Sequence, residues 1–285
     1  MTTRNASVGD WHAYLGNRAR RHRDGRFLVH GREPIEAALA AGWPVEAVLY
    51  RLGTPLSPWA AALLDRGEVP RIGLVGATLD ELAAPDTGTP EVVALARCRT
   101  RNWTDIHCDT DHPVVVVDRP ASALRLGSII RTAAAFDAAA VVISGSGADE
   151  YDPHCVRASA GALFALPVLR VPGPAAVTEF RSRRCAAGVP TRLIGVGAGE
   201  GDRAVDAHRF TDATIMVVAD DGALDARWRD ACDETVRIAA GARPATPCTV
   251  SVVLYEISRQ RRVLGSDAVA TRSANTAERV EDRHR

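Results

Sequence analysis

The chain has 285 residues, enough for two domains of ordinary size, each with a core of its own. Its 35 basic residues are matched by 35 acidic ones, so it cannot hold nucleic acid through overall charge, and any such contact must rest on local clusters. Aromatic residues are only 5% of the chain against 46% for all hydrophobic types, which predicts aliphatic cores. The six cysteines lie far apart without a C-x-x-C pair and read as reduced and structural. The sequence has no apolar leader and no run of about twenty apolar residues, so the expectation is a cytoplasmic protein that neither is secreted nor spans a membrane.

The first segment, Trp11 to Arg26, is polar and places Arg18, Arg20, Arg21 and Arg23 beside His22. It reads either as a solvated helix face or as a patch that contacts phosphates. A strand over Phe27–Val29 follows. Next comes a helix whose Ile35, Ala38, Leu39 and Ala40 keep helical spacing until Gly42 stops it. A strand at Val45–Tyr50, a helix near Trp59–Leu64, a short helix near Leu79–Leu82 and a strand at Val92–Ala96 complete an α/β unit over residues 1–97. Residues 98–113 are polar and aperiodic and read as a linker. Within them, His107-Cys-Asp-Thr-Asp-His112 carries side chains able to bind metal, but at a spacing that fits no common zinc pattern, so no metal is expected.

The run Val114–Val117 is entirely β-branched, as expected of a strand covered on both faces in a parallel sheet. Asp118 ends it. The sequence then places Gly127 where a helix begins and Arg131 one turn in, near the carboxyl end of the strand, where open α/β sheets bind ligands. Such an arginine is either functional or a surface cation in an ion pair. Further strands are predicted at Ala140–Ser144, Arg192–Val196, Thr214–Val218 and Thr235–Ala239, alternating with helical patterns, which makes a parallel sheet with helices on both faces. Gly145-Ser-Gly147 reads as part of a ligand-facing rim. Gly195-Val-Gly-Ala-Gly-Glu-Gly201 reads as a turn, because its spacing is wrong for a dinucleotide loop. A last helix is predicted over Thr249–Val263, closing a domain of residues 114–264, with a polar and disordered tail over 265–285.

Three stretches, Asp118-Arg-Pro-Ala-Ser-Ala-Leu-Arg-Leu-Gly-Ser-Ile-Ile-Arg131, Val156-Arg-Ala-Ser-Ala-Gly-Ala-Leu-Phe-Ala-Leu-Pro167 and Leu254-Tyr-Glu-Ile-Ser-Arg-Gln-Arg261, together resemble the SpoU/TrmH family of RNA 2′-O-ribose methyltransferases, of the SPOUT class. Phe27-Leu-Val-His-Gly-Arg-Glu-Pro34 and Glu91-Val-Val-Ala94 resemble the small ribosomal-protein-like substrate-binding domain that precedes the catalytic domain in many members. The resemblance covers nearly the whole chain. It implies an α/β fold with a trefoil-knotted SPOUT methyltransferase domain, a homodimer, S-adenosyl-L-methionine as methyl donor and ribosomal RNA as substrate. The 23S RNA is the expected target, with protection of the ribosome from an antibiotic as a possible purpose.

The same resemblance makes Arg131 the catalytic residue. It gives Val218, Ala219, Asp220, Gly222, Ile238, Ala239 and Pro247 to the donor, largely through main-chain groups. Arg32, Arg125 and Arg157 join Arg18, Arg20, Arg21 and Arg23 as candidates for RNA contact. The chain departs from the family pattern at each motif. The family's Asn two residues before the motif glycine is here Arg125, an added cation that would repel Arg131 unless phosphate lies between them. The second motif, usually Gly-Ser/Asn-Glu, becomes Val218-Ala-Asp-Asp-Gly222, and the third loses its Ser and Asn in Ile238-Ala-Ala-Gly-Ala-Arg-Pro-Ala-Thr-Pro-Cys-Thr249. Two readings therefore stay open: an active RNA 2′-O-methyltransferase, or a catalytically inactive RNA-binding paralogue that pairs with an active relative.

Overall fold

The β-branched runs of the sequence fold into two sheets joined by one continuous core. In a computed structural model, the structure describes residues 6–84, 88–197, 199, 202–220, 223–240, 242 and 244–281, with side chains from Val8 to Val263. The amino-terminal part runs α1 (Ala6–Gly16), α2 (Arg18–Asp24), β1 (Arg26–His30), α3 (Arg32–Ala40), β2 (Val45–Arg51), α4 (Pro58–Asp65), β3 (Arg71–Leu74), α5 (Gly76–Asp80) and β4 (Val92–Arg97). Its four strands lie in the order β1-β4-β2-β3, with β4 antiparallel to both neighbours and β3 parallel to β2. The basic opening segment forms two helices, because Asn17 leaves the first and caps the second, its side chain accepting from the Arg20 amide. Strand β3 has no counterpart in the sequence reading, since four residues that include Gly73 are too few to show a period.

The second part contains β5 (Val114–Asp118), α6 (Ala123–Ala135), β6 (Ala140–Ser144), α7 (Pro153–Ala158), α8 (Ala162–Ala165), β7 (Val168–Val171), α9 (Pro174–Ala186) and β8 (Thr191–Gly197). It continues with β9 (Arg203–Ala204), β10 (Ala213–Ala219), α10 (Ala226–Ala231), β11 (Glu234–Arg237) and α11 (Thr246–Glu281). The sheet is parallel throughout, in the order β7-β6-β5-β10-β8-β11-β9. Strand β5 is buried on both faces, and its residues alternate between two cores. Val115 and Val117 face the core shared with α6 and α11, while Val114 and Val116 face the one around Val177, Phe180 and Trp228.

The two parts are not independent. Phe27, Val29, Ile35 and Trp43 belong to the same buried cluster as Leu126, Ile130, Phe164 and Leu254. Across the seam, the rings of Phe27 and Tyr151 lie 4.7 Å apart, and those of Trp43 and Phe164 meet edge to face at 5.2 Å. The Tyr151 hydroxyl donates to the Arg99 carbonyl at 2.7 Å and accepts from the Arg99 amide at 3.0 Å. The amino-terminal domain is thus fixed relative to the parallel sheet by packing and by paired polar groups.

Two expectations change. Helix α6 begins at Ala123, capped by Ser122, so Gly127 sits in its second turn and is no helix start. A side chain there would collide with the Cys155 carbonyl and the Ala158 methyl, so the glycine, which costs a helix interior about 1 kcal/mol, lets α7 press against α6. The last helix begins at Thr246 and continues to Glu281, so the tail expected to be disordered is helical over 265–281. Ala, Arg and Glu after Gly265 are good helix formers, and one glycine is too small a penalty to stop the run.

Candidate functional site

The carboxyl ends of β5, β6 and β10 form one edge of the parallel sheet, with Ala219 in register with Asp118 and Asp118 with Ser144. Three segments gather there: the turn leading from Asp118 into α6, the loop after β10, and the start of α11. Helix α6 turns Leu126, Gly127, Ile129, Ile130 and Ala133 inward. Its outer face carries Leu124, Ser128 and Arg131, which share one stripe by helical spacing. Arg131 is exposed, and among the described residues its side chain makes no ion pair or hydrogen bond. Its guanidinium is left available to an anion.

Arg125, one and a half turns earlier, behaves otherwise. Its Nη1 lies 3.0 Å from Asp220 Oδ1 and 3.4 Å from the Asp220 carbonyl. The Asp220 side chain is fully buried, and its Oδ2 accepts from the Ala121 amide at 2.8 Å. The Asp220 carbonyl also accepts from the Thr246 hydroxyl at 3.2 Å. One acid therefore ties the turn after β5, the first turn of α6, the end of β10 and the head of α11. The added cation of the first motif and the shortened acid of the second are two halves of one contact. Sequence reasoning treated them as separate losses, and the signal that could have joined them is that a gained positive charge and an altered acid fall on adjacent loops. The expected clash between Arg125 and Arg131 does not arise, because Asp220 neutralises Arg125.

Of the residues assigned to the donor, Val218 and Ala219 are buried at the end of β10, Ile238 is half-buried just past β11, Ala239 is exposed and Pro247 lies half-buried in the first turn of α11. Gly222 lies outside the described residues. The Asp220 carboxylate is engaged as above and buried, so its side chain holds these loops together. Ala239 and Ala240 are small and exposed just past β11, beside the half-buried Ile238, whereas Ala219 is buried in β10. That suits a ligand held through main-chain hydrogen bonds.

The rim opposite is built by the turn after β6. Gly147 has φ of 157°, and a side chain there would run into Pro120. The close approach is secured by the Ala148 amide donating to the Pro120 carbonyl at 2.6 Å. Arg119 sits in the left-handed region with φ of 45°, its Nε donating to Asp118 at 2.9 Å.

The amino-terminal arginines are largely occupied. Arg21 is buried: its Nε donates to Asp149 at 2.7 Å and its Nη1 to the Tyr14 carbonyl at 2.6 Å, with Asp152 3.5 Å away. Burial alone would raise the Asp149 pKa, but hydrogen bonding from His22 and the charge and hydrogen bond of Arg21 outweigh it and bring it down to about 2. Arg21 is accordingly corrected from an RNA contact to the clamp that fastens α2 to the parallel domain. Arg20 pairs with Asp10 and Asp24. Arg18 donates to the Gly147 carbonyl at 2.8 Å, and Arg23, mostly exposed, meets Asp24. Arg32 and Arg157 line a cleft between the two domains, away from Arg131 in the chain but joined by α7 lying on α6.

Among the described residues no group of three or more His, Cys, Asp or Glu side chains is arranged to hold a metal, and no helix is long and apolar enough to cross a membrane. Asp109 instead caps a turn, accepting from the amides of Asp111 and His112.

Comparison with known proteins follows the same division. Residues 5–94 match the SpoU L30e-like domain and residues 112–244 the SpoU rRNA Methylase family. A 23S rRNA (uridine(2479)-2′-O)-methyltransferase of Streptomyces viridochromogenes is 40% identical over 267 residues, covering 92% of both chains. The crystal structure of the SpoU methyltransferase AviRb from the same organism, in complex with AdoMet, superposes with a TM-score of 0.85 at 38% identity over 90% of this chain and 98% of that one. An RNA 2′-O ribose methyltransferase structure gives 0.75 at 25% identity over 91% and 98%.

Proposed function

Since the chain belongs to the SpoU rRNA methylase family and has its methyltransferase fold, we propose that it transfers a methyl group from S-adenosylmethionine to a ribose 2′-hydroxyl of 23S ribosomal RNA. The observation that carries this reading is Arg131, an exposed cation in the third turn of α6 whose side chain has no partner among the described residues. The departures in the motifs do not weigh against it, because Arg125 and Asp220 make a contact that holds the same loops together.

Peptide groups of Val218, Ala219, Ile238 and Ala239, with Pro247, would hold the donor. Bound there, the donor supplies a methyl group on a positively charged sulfur. A guanidinium stays protonated to above about pH 12, so Arg131 is no base. It binds the phosphate next to the target ribose, fixes the 2′-oxygen in line for attack, and stabilises the charge that develops as the hydroxyl proton leaves to phosphate or solvent. Arg18, Arg23, Arg32 and Arg157 supply RNA contacts beyond the reacting nucleotide.

The protein acts as a homodimer in this reading. Leu124 on α6 and Val252, Tyr255 and Val263 on α11 are exposed apolar side chains on two adjacent helices. A second copy covering them would stand next to Arg131, which shares the outer stripe of Leu124. Transfer of labelled methyl from S-adenosylmethionine to 23S RNA by purified protein, and its loss in Arg131→Ala, tests the proposal. Failure of the donor to bind in calorimetry at millimolar concentration would leave an inactive RNA-binding paralogue. Growth of a susceptible host expressing the wild type or Arg131→Ala, under an antibiotic that targets the large ribosomal subunit, tests whether the mark protects.

A further inference from the structure

A cleft of about 410 Å³ lies between the two domains, lined by His30, Gly31, Arg32, Trp59 and Glu91 of the first and by Arg157 of the second. It belongs to neither the strand-end site nor the apolar face of α6 and α11. Its size is within the range of pockets that enclose small ligands. Three features of its wall define what fits.

The first is a buried acceptor. The Nε2 of His30 lies 2.8 Å from the Leu82 carbonyl, which can only accept, so Nε2 carries the hydrogen. Burial keeps the ring neutral, reinforced by the repulsion of Arg157. Nδ1 is then a lone pair, buried and without a partner among the described residues, so a donor in the cleft reaches it only as the wall shifts. A buried acceptor of this kind calls for a ligand that presents an N–H or O–H.

The second is a flat platform. Trp59 is half-buried, with its Nε1 donating to Glu36 at 2.7 Å, and the Arg32 guanidinium stands 6.0 Å from its ring centroid, bonded to the same Glu36 at 3.3 Å. Indole and guanidinium planes are the surfaces on which unstacked bases lie. The third is the opening turn of α3. Gly31, with φ of 88°, makes no side-chain cap, and the head of this nine-residue helix, Gly31, Arg32 and Glu33, lines the cleft, so its positive end lies at the cleft wall beside the Arg32 side chain.

We propose that this cleft takes one unpaired nucleotide of the RNA, its base stacked on Trp59 with an N–H edge toward His30 Nδ1 and its phosphate at the head of α3 near Arg32. The inference rests on the RNA reading above and adds a second anchoring nucleotide, distinct from the one at Arg131. Since Arg157 comes from α7, which packs on α6, a nucleotide held here spans both domains and sets the direction in which RNA approaches Arg131.

The test uses full-length protein and a 23S RNA fragment that is a substrate for the wild type. Trp59→Leu and Arg32→Ala are compared with the wild type for RNA affinity by fluorescence anisotropy, for donor affinity by calorimetry and for thermal unfolding. Arg32 is mostly exposed, so its removal keeps the test valid should Trp59→Leu unfold. The expected result is RNA binding weakened about ten- to a hundredfold by Trp59→Leu and severalfold by Arg32→Ala, with donor affinity and melting unchanged. Scanning the fragment with single abasic sites should find one position whose loss weakens the wild type but has little further effect on Trp59→Leu. RNA affinity of both variants within twofold of the wild type, while the wild type methylates the fragment, would overturn the cleft proposal alone. Trp59-dependent RNA binding by a protein that transfers no methyl would support the cleft and remove the transferase reading. A wild type that neither binds nor methylates RNA would overturn both.

Discussion

Helix α2 carries four arginines and α6 two, and they put them to opposite use. In α2 the cations are met by carboxylates placed to receive them: Asp149 and Asp152 take Arg21, Asp10 and Asp24 take Arg20, and Asp24 takes Arg23. In α6 Asp220 takes Arg125, and Arg131, six residues on, has no acid partner among the described residues. The density of arginine in the sequence therefore points to the wrong helix for chemistry. What decides availability is how many acids the fold brings close, and the clustered arginines are the ones that hold domains together.

Breaking the buried pair of α2 should have the largest effect. Arg21→Ala leaves the Asp149 carboxylate buried without its main partner, and the expected loss of stability is about 3–5 kcal/mol in denaturant unfolding. A loss below about 1 kcal/mol would show that the clamp is incidental. Removing the open cation of α6 should do the reverse. Arg131→Ala is expected to cut methyl transfer by roughly a hundred- to a thousandfold, with unfolding and donor affinity unchanged. If donor affinity fell in proportion, Arg131 would be a ligand of the donor and no catalytic group.

Arg125 tests the middle case. Arg125→Ala strips Asp220 of its counter-charge at the loops that shape the donor site, and donor affinity should fall about tenfold. Arg125→Asn combined with Asp220→Glu, the residue types usual in the family, should recover most of that loss, whereas additive losses in the two single variants and the double would deny that they act as a pair.

The Asp149 carboxyl supplies a pH signature. Its folded pKa of about 2 lies below the ordinary value of 3.8, so its contribution is present in full above about pH 4 and is lost as pH falls through 2. The shift corresponds to about 2 kcal/mol, and Asp149→Asn should flatten the stability profile by that amount between pH 4 and 2. An unchanged slope would place the low pKa in doubt. The smallest effect belongs to Arg23→Ala, whose exposed partner Asp24 leaves it within about 0.5 kcal/mol of the wild type in unfolding.

Local pattern determined much of this protein. The β-branched run at Val114–Val117 marked the central strand, Ala140–Ser144 was bounded to the residue, and Gly42 was seen to end α3 at Ala40, because burial on both faces and the chemistry of helix ends leave their mark in neighbouring residues. The motif around Arg131 carried enough identity to indicate the family, and with it the fold. Short edge strands such as β7 and β9 were not legible, since two to four residues cannot display a period. Nor were the partners of charge legible. Arg125 meets Asp220 across 95 positions, Arg21 meets Asp149 across 128, and His30 shares a cleft with Arg157 across a domain seam. Electrostatic pairing depends on distance in space and on the burial around it, and both are set only when the sheets close on one core. Sequence supplied the cations, and tertiary structure decided which of them remained open.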